Sequence, residues 1–206
     1  MKGPVFALTR PLLLASQSPR RAEILRMLGF DFTVSPSGCD ETMPPGLQPA
    51  QVPEALARIK AIEVSRTNTG ALALGADTIV VVDDRILNKP ADAAEALEML
   101  RLLRGRTHVV YTGVALAADG AVLDAGVERS EVTFSAAPGD EDLRAYVNGG
   151  EPMDKAGAYA VQGRGAFLVE GIRGCFFNVM GLPIQRTLRL LGPYRIAGSA
   201  GTSSTF

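Results

Sequence analysis

Two adjacent arginines at the start of a predicted helix are the first residues whose types and spacing indicate chemistry. The sequence LLLASQSPRR at 12–21 predicts a buried strand and then a helix, since Ser18 can cap the helix and Pro19 suits its first turn. Arg20 and Arg21 would lie at the positive end of the helix dipole, where cations are unfavourable unless an anion binds there. The stretch therefore predicts a phosphate site, and the alternative is an ordinary capped helix with two solvated arginines.

A carboxylate lies inside the most apolar strand that the chain predicts. The run ALALGADTIVVV at 71–82 contains Asp77, and a buried carboxylate is costly unless cations or a metal ion accompany it. The alternative is a turn at Gly75 that would leave Asp77 exposed and inert at a strand end. The sequence favours a functional Asp77.

More charged residues are spread over the predicted loops and helices. Asp40 and Glu41 lie in a loop at 35–50, and a loop of that length indicates function or mobility. The further candidate cations are Lys60, Lys89 and Lys155. Together with the paired arginines and Asp77, this set suits a polyphosphate substrate, a divalent metal ion and water as the nucleophile.

Composition excludes several other classes of protein. Lys and Arg number 21 against 22 Asp and Glu, a net charge of -1 that disfavours nucleic-acid binding. One histidine, His108, and two isolated cysteines, Cys39 and Cys175, indicate neither a disulfide framework nor a zinc site. Arg10 and Pro11 interrupt the short apolar start of the chain, and no run has the length of a membrane span. We expect a cytoplasmic protein without a membrane partner.

The remaining segments predict helices and strands without a linker between them. Helices are predicted over 52–66, 91–104, 138–147 and 182–191, and strands over 30–34, 107–117 and 121–134. The glycine-rich segment 151–183 indicates backbone that approaches a ligand closely, or else a series of short strands and turns. We expect one domain over residues 1–192 and a flexible polar tail over 193–206.

The motifs of P-loop, dinucleotide-binding and α/β-hydrolase proteins are absent. The chain instead resembles the Maf family, through blocks that run in family order and cover about residues 12–191. These blocks are LLLASQSPRR (12–21), GADTIV (75–80), NKP (88–90), GRTHVVYTG (105–113), DKAGAYAVQG (154–163) and NVMGLP (178–183).

The resemblance implies a house-cleaning enzyme that hydrolyses a nucleoside triphosphate to the monophosphate and pyrophosphate with a divalent cation, Mg²⁺ or Mn²⁺. It implies an elongated mixed α/β sheet with flanking helices and two lobes around a central cleft, related to the inosine-triphosphatase-like enzymes and often dimeric. The form DKAGAYAVQG resembles the branch that acts on dTTP and UTP.

By motif position, Asp77 corresponds to the proton acceptor, and the sequence does not separate that role from metal binding. Glu41 corresponds to the acid of the family's Asp-Glu loop, and it is predicted to bind the metal ion together with Asp77. Three positions match residues linked to base selection: Arg20, Thr78 and Gln162. The other predicted substrate-binding residues are Ser16, Ser18, Arg21, Lys60, Lys89 and Lys155.

One departure from the family pattern lies beside Lys60. The usual Arg-Glu-Lys is Arg58-Ile59-Lys60 here, so a metal-binding or orienting role of that glutamate would be altered. Since the family is also associated with inhibition of septum formation, a non-catalytic nucleotide-binding regulator of cell division is the alternative function.

Overall fold

A mixed seven-stranded β-sheet organises this computed structural model, which describes residues 6–39 and 46–196. The sheet order is β2-β1-β3-β5-β6-β7, and β4 pairs with β3. β1 is parallel to β2 and β3, whereas the other pairs are antiparallel. The strands are β1 (Leu12–Ala15), β2 (Thr33–Val34), β3 (Leu72–Val82), β4 (Arg85–Leu87), β5 (Thr107–Ala118), β6 (Ala121–Phe134) and β7 (Val169–Arg173).

Helices flank this sheet, as predicted. Within the described residues the α-helices are α1 (Pro19–Met27), α2 (Val52–Thr67), α3 (Ala93–Leu103), α4 (Asp140–Asn148), α5 (Phe176–Met180) and α6 (Ile184–Leu191), and five short 3-10 helices occur between them and at the end. At the start of α3 the side chain of Asp92 accepts a hydrogen bond of 2.8 Å from the backbone N–H of Glu95. No helix in the described ranges has both the length and the apolar character needed to cross a membrane.

The two largest clusters of buried hydrophobic residues lie at different ends of the sheet, one in each lobe. The first core packs β1, α1 and α6 against the first half of β3, and the second packs α3 and α4 against the second half of β3 and the end of β6. Representative buried residues are Leu14, Leu25 and Leu190 in the first core and Leu100, Phe134 and Leu143 in the second. The mixed α/β sheet with flanking helices is confirmed, and β3 and β5 contribute residues to both of these cores.

The two ends of the described chain pair with each other through backbone hydrogen bonds. The sequence predicts a flexible tail that begins at residue 193. The N–H of Thr9 donates to the carbonyl of Tyr194 at 2.8 Å, and the N–H of Ile196 donates to the carbonyl of Ala7 at 2.9 Å. The folded part therefore extends past the predicted boundary at 192, while residues 197–206 lie outside the described ranges.

His108 is buried in the core of the second lobe. Its Nε2 lies 2.8 Å from the hydroxyl of Tyr159, and its ring packs edge-on against Phe134. Burial disfavours the charged imidazolium and lowers the pKa of His108 from 6.5 to about 4.

We expect this histidine to make folding sensitive to acid. As the pH falls from 6.5 to about 4, the unfolded chain binds a proton on His108 that the folded chain does not bind, so stability decreases. Complete loss of this contribution corresponds to about 3 kcal/mol. Urea unfolding at several pH values should show the decrease, and His108→Gln should show a smaller one. An unchanged pH dependence in the variant would assign the acid sensitivity to carboxylates instead.

Candidate active site

A cleft of about 840 Å³ brings together most of the residues that the sequence nominates. Its described lining includes Asp77 and all nine predicted substrate-binding residues: Ser16, Ser18, Arg20, Arg21, Lys60, Thr78, Lys89, Lys155 and Gln162. Glu41, the predicted second metal ligand, lies outside the described residues, as does Asp40. The individual roles of these side chains stay predictions.

Strand β3 and helix α2 position an ion pair within the cleft. β3 runs unbroken through Gly75, so the alternative turn at this point is absent from the strand. A Cβ on Gly75 would lie 2.2 Å from the carbonyl oxygen of Ala57, which means that only glycine lets α2 pack this close to β3. The close packing brings Lys60 Nζ to 2.7 Å from Asp77 Oδ1, with the two side chains only 5% and 13% exposed.

The N-terminus of α1 faces the same cleft and carries the predicted phosphate site. Pro19 is at the start of the helix, no acidic residue occurs in the first turn, and Ser18 makes no capping hydrogen bond with its side chain. The hydroxyl of Ser16 instead accepts a hydrogen bond of 3.2 Å from the N–H of Ser18. A helix start lined by Arg20 and without an acid is suited to an anion.

Arg21 makes extensive contacts with the protein, which the sequence did not predict. Its Nε donates to the carbonyl of Gly181 at 2.9 Å. Its Nη1 donates to Ser16 Oγ and to the carbonyl of Ala76, both at 2.9 Å. Its Nη2 donates to Thr78 Oγ1 at 3.1 Å. The guanidinium thus joins α1, β3 and the turn before α6, although it also lines the cleft.

The hydrogen bonds of Arg21 continue into the core through Thr78. The hydroxyls of Thr78 and Thr112 are 3.0 Å apart, and Thr112 donates to the carbonyl of Asn178 at 2.9 Å. The buried Asn178 amide then donates to the carbonyl of Val110 and to Ser130 Oγ. Since Thr112 donates to Asn178, Thr78 is the donor to Thr112, and this fixes the orientation of its hydroxyl.

Arg20 extends towards the other side of the cleft. Its Nη1 lies 3.6 Å from Asp154 Oδ2, and Asp154 also forms an ion pair with Lys155. Desolvation by itself would raise the pKa of Asp154. The hydrogen bond from Lys155 and the charges of Lys155 and Arg20 outweigh it, so the pKa of Asp154 is lowered. Sequence reasoning missed Asp154, whose signal was its position next to Lys155 in a family block.

Positive charge dominates the described lining of the cleft. Lys89 and Gln162 are exposed there, and the carbonyl of Asn88 accepts a hydrogen bond of 3.2 Å from the N–H of Gly157, which fixes the backbone beside Lys89. The lining cations are Arg20, Arg21, Lys60, Lys89 and Lys155, and the lining acids are Asp77 and Asp154. This excess of cations favours a polyanionic ligand.

The described residues contain no group of three or more His, Cys, Asp or Glu side chains that could hold a metal ion. Ile59, the departure from the family pattern, is 37% exposed on α2 and is not among the described residues that line the cleft.

Comparison with known proteins identifies the family. A family profile described as "Maf-like protein" matches residues 11–194. The chain belongs to the Maf family. The resemblance drawn from the blocks of this Maf protein is therefore confirmed.

Relatives of this Maf protein are named dTTP/UTP pyrophosphatase. The relative from Moorella thermoacetica is 50% identical over 186 residues, which cover 90% of this chain and 95% of that protein. The one from Pelotomaculum thermopropionicum is 47% identical over 188 residues, covering 88% and 95%. The one from Bacillus cereus is 45% identical over 187 residues, covering 91% and 97%.

Among solved structures, this Maf protein is similar to a HAM1 protein from Coxiella burnetii, with a TM-score of 0.43 and 19% identity over 63% of this chain and 75% of that one. A nucleoside-triphosphatase/dITP/XTP pyrophosphatase from Mycobacterium abscessus gives a TM-score of 0.39 and 20% identity over 63% and 76%.

Proposed function

We propose that this Maf protein hydrolyses dTTP and UTP to the nucleoside monophosphate and pyrophosphate. The observation that carries the proposal is the Lys60–Asp77 ion pair in a cleft whose described lining is otherwise mostly cationic. Relatives with 45–50% identity over most of both chains bear the name of this activity. A carboxylate beside a polyphosphate site is suited to activating water for attack on phosphorus.

In the proposed reaction the triphosphate lies along the start of α1, with Arg20, Lys89 and Lys155 on its oxygens. A water molecule attacks the α-phosphorus, and the carboxylate of Asp77 accepts its proton. The bond between the α-phosphorus and the oxygen bridging to the β-phosphorus breaks, and pyrophosphate leaves. Lys60 holds Asp77 in the orientation that this proton transfer requires.

Base selection is assigned to Gln162. Its exposed amide lies in the lining of the cleft and can both donate and accept a hydrogen bond, as the edge of thymine or uracil requires. The side chain of Thr78, which the resemblance also links to base selection, lines the same cleft and is fixed by Arg21 and Thr112.

A divalent cation, Mg²⁺ or Mn²⁺, fits the chemistry of this cleft. Asp77 uses Oδ1 to bind Lys60, and within the described residues its other oxygen forms no hydrogen bond, so it is suited to a hard cation. Mg²⁺ is commonly held by one or two carboxylates together with substrate phosphates. Asp77 and Glu41 would hold it, and when bound it would neutralise phosphate oxygens.

Product analysis tests the proposed function. Purified protein is incubated with canonical and modified nucleoside triphosphates and Mg²⁺ or Mn²⁺, and the products are separated by ion-exchange chromatography. We expect pyrophosphate and monophosphate in equal amounts from dTTP and UTP, faster than from the other triphosphates. Orthophosphate with a diphosphate would contradict the reaction, and binding without turnover would favour the regulator of cell division.

We also propose a single domain, a homodimer and a cytoplasmic location. The single domain is supported by the contribution of β3 and β5 to both cores. The dimer follows from the family resemblance, and light scattering after size-exclusion chromatography tests it. The location is suggested by the substrates, which form a cytoplasmic pool, and cell fractionation tests it.

A further inference from the structure

Glu151 lies outside the described lining of the cleft, yet its carboxylate binds the backbone next to Gln162. Its Oε1 accepts a hydrogen bond of 3.0 Å from the N–H of Arg164, and its Oε2 accepts one of 2.9 Å from the N–H of Gly165. These two amides follow Gln162 in the sequence. The carboxylate therefore fixes one side of the segment at 160–165, which we term the Gln162 loop.

Tyr146 fixes the other side of the Gln162 loop. Its hydroxyl accepts a hydrogen bond of 3.1 Å from the N–H of Ala160 and donates one of 2.8 Å to Glu151 Oε2. The tyrosine lies on α4, which packs against α3 in the second lobe. Two side chains that are hydrogen-bonded to each other thus hold backbone amides on both sides of Gln162.

Position 163 of the Gln162 loop lies directly against the carboxylate of Glu151. A Cβ on Gly163 would lie 2.1 Å from Glu151 Oε1, so the residue next to Gln162 must be glycine for the carboxylate to reach the amides beyond it. The absence of a side chain at position 163 therefore allows the hydrogen bonds between the carboxylate of Glu151 and the loop.

The electrostatics agree with this geometry. Desolvation by itself would raise the pKa of Glu151. Hydrogen bonds from Gly165, Tyr146 and Arg164 outweigh it and lower the pKa, so the carboxylate remains ionised near neutral pH. Burial and the hydrogen bond to Glu151 raise the pKa of Tyr146, so its hydroxyl remains a donor.

We propose that Glu151 is a positioning residue for base selection, acting with Tyr146 through the Gln162 loop. Neither side chain lines the cleft, so both act through the amide of Gln162 rather than on the substrate. The backbone carbonyl of Glu151 also accepts a hydrogen bond of 3.1 Å from Lys155 Nζ, which links the same residue to a cation of the proposed phosphate site. The inference rests on the proposed hydrolysis of dTTP and UTP and adds residues that determine its selectivity.

Glu151→Gln tests the inference through substrate preference. The glutamine has one acceptor oxygen, and its NH₂ group would face an amide N–H, so the Gln162 loop should lose its fixed position. We expect kcat/KM for UTP to fall about tenfold, mostly through KM, and the preference for UTP over GTP to narrow by a similar factor. Glu170→Gln, which removes an exposed carboxylate on β7, is the matched control and should change neither value.

A double-mutant cycle separates positioning from a general structural role. In a Gln162→Ala background, Glu151→Gln should cause no further loss of preference for UTP over GTP, because the group that it positions has already been removed. Additive effects in the two backgrounds would overturn the inference, as would a single Glu151→Gln variant with the wild-type preference.

Amide hydrogen exchange without nucleotide tests the loop contacts independently of catalysis. We expect the amides of Ala160, Arg164 and Gly165 to exchange at least about tenfold faster in Glu151→Gln than in wild type or in the Glu170→Gln control. Unchanged exchange would overturn the inference even if the enzyme is active. If wild type hydrolyses neither dTTP nor UTP, the proposed function fails, and the exchange result still decides the loop contacts.

A second variant covers the case in which Glu151→Gln does not fold. Tyr146→Phe removes only the hydroxyl, and it should speed exchange at Ala160 and narrow the preference for UTP over GTP, by less than Glu151→Gln. An unchanged preference in a folded Tyr146→Phe protein would overturn the role assigned to this pair.

Discussion

Asp77→Asn is expected to lower kcat for UTP hydrolysis by about 10³-fold while the protein remains folded. An amide cannot accept the proton of the attacking water, and a positioned general base contributes about 10²–10⁴-fold to the rate. The amide oxygen has the shape of the carboxylate oxygen that Lys60 contacts at 2.7 Å. Steady-state pyrophosphate release measures the rate, and thermal unfolding followed by circular dichroism checks the fold.

A matched substitution shows whether the effect belongs to the cleft. Asp84 is an exposed aspartate in the turn that follows β3, with a positive φ of 60° that asparagine also adopts. Asp84→Asn therefore removes the same charge seven positions away and should keep the wild-type rate. A folded Asp77→Asn enzyme within about threefold of the wild-type rate would contradict the assignment of Asp77 as the base.

Elements with a local signal could be predicted from the sequence. Asp92 and Glu95 mark the start of α3, and the Asp119-Gly120 turn joins β5 to β6, whose bounds lie within one residue of the prediction. The long apolar run around Asp77 became the unbroken β3. In each case the residues that specify the element lie inside it or next to it in the sequence, so local sequence is sufficient to predict it.

The partners of the polar side chains could not be predicted in the same way. Arg20 and Arg21 both looked like phosphate ligands because they adjoin a helix start. Successive residues on a helix point about 100° apart, and Arg21 points to the carbonyl of Gly181, 160 positions later in the chain. The packing of β3 and the last helices determines which distant acceptors lie near that guanidinium. Spacing along the chain carries no signal for it.

The glycine-rich segment 151–183 was the least predictable part of the fold. β7 (Val169–Arg173) and α5 (Phe176–Met180) have five residues each, too few to show a periodic pattern. The turns before them depend on contacts such as Glu151 with the Gln162 loop. Tyr146 and Glu151 are five positions apart, a spacing without a known meaning, so their joint role became visible only in three dimensions.

The two adjacent arginines are expected to respond differently to the same substitution. Arg21→Lys should lower the free energy of unfolding by about 2–4 kcal/mol, because one ammonium group cannot reach all the acceptors that the guanidinium serves, and an unsatisfied buried acceptor costs about 1–3 kcal/mol. Arg20→Lys keeps its charge near the exposed Asp154, so it should change stability by less than about 0.5 kcal/mol.

Kinetics complete this comparison. Arg20→Lys should raise KM for UTP several-fold with little change in kcat, because it weakens contact with the triphosphate, whereas Arg21→Lys should lower kcat as the start of α1 moves relative to Asp77. Urea unfolding and initial rates on the two variants provide the measurements. If Arg21→Lys were as stable as wild type and changed KM alone, Arg21 would be a direct phosphate ligand, and its contacts with Gly181 and Ala76 would be incidental to the fold.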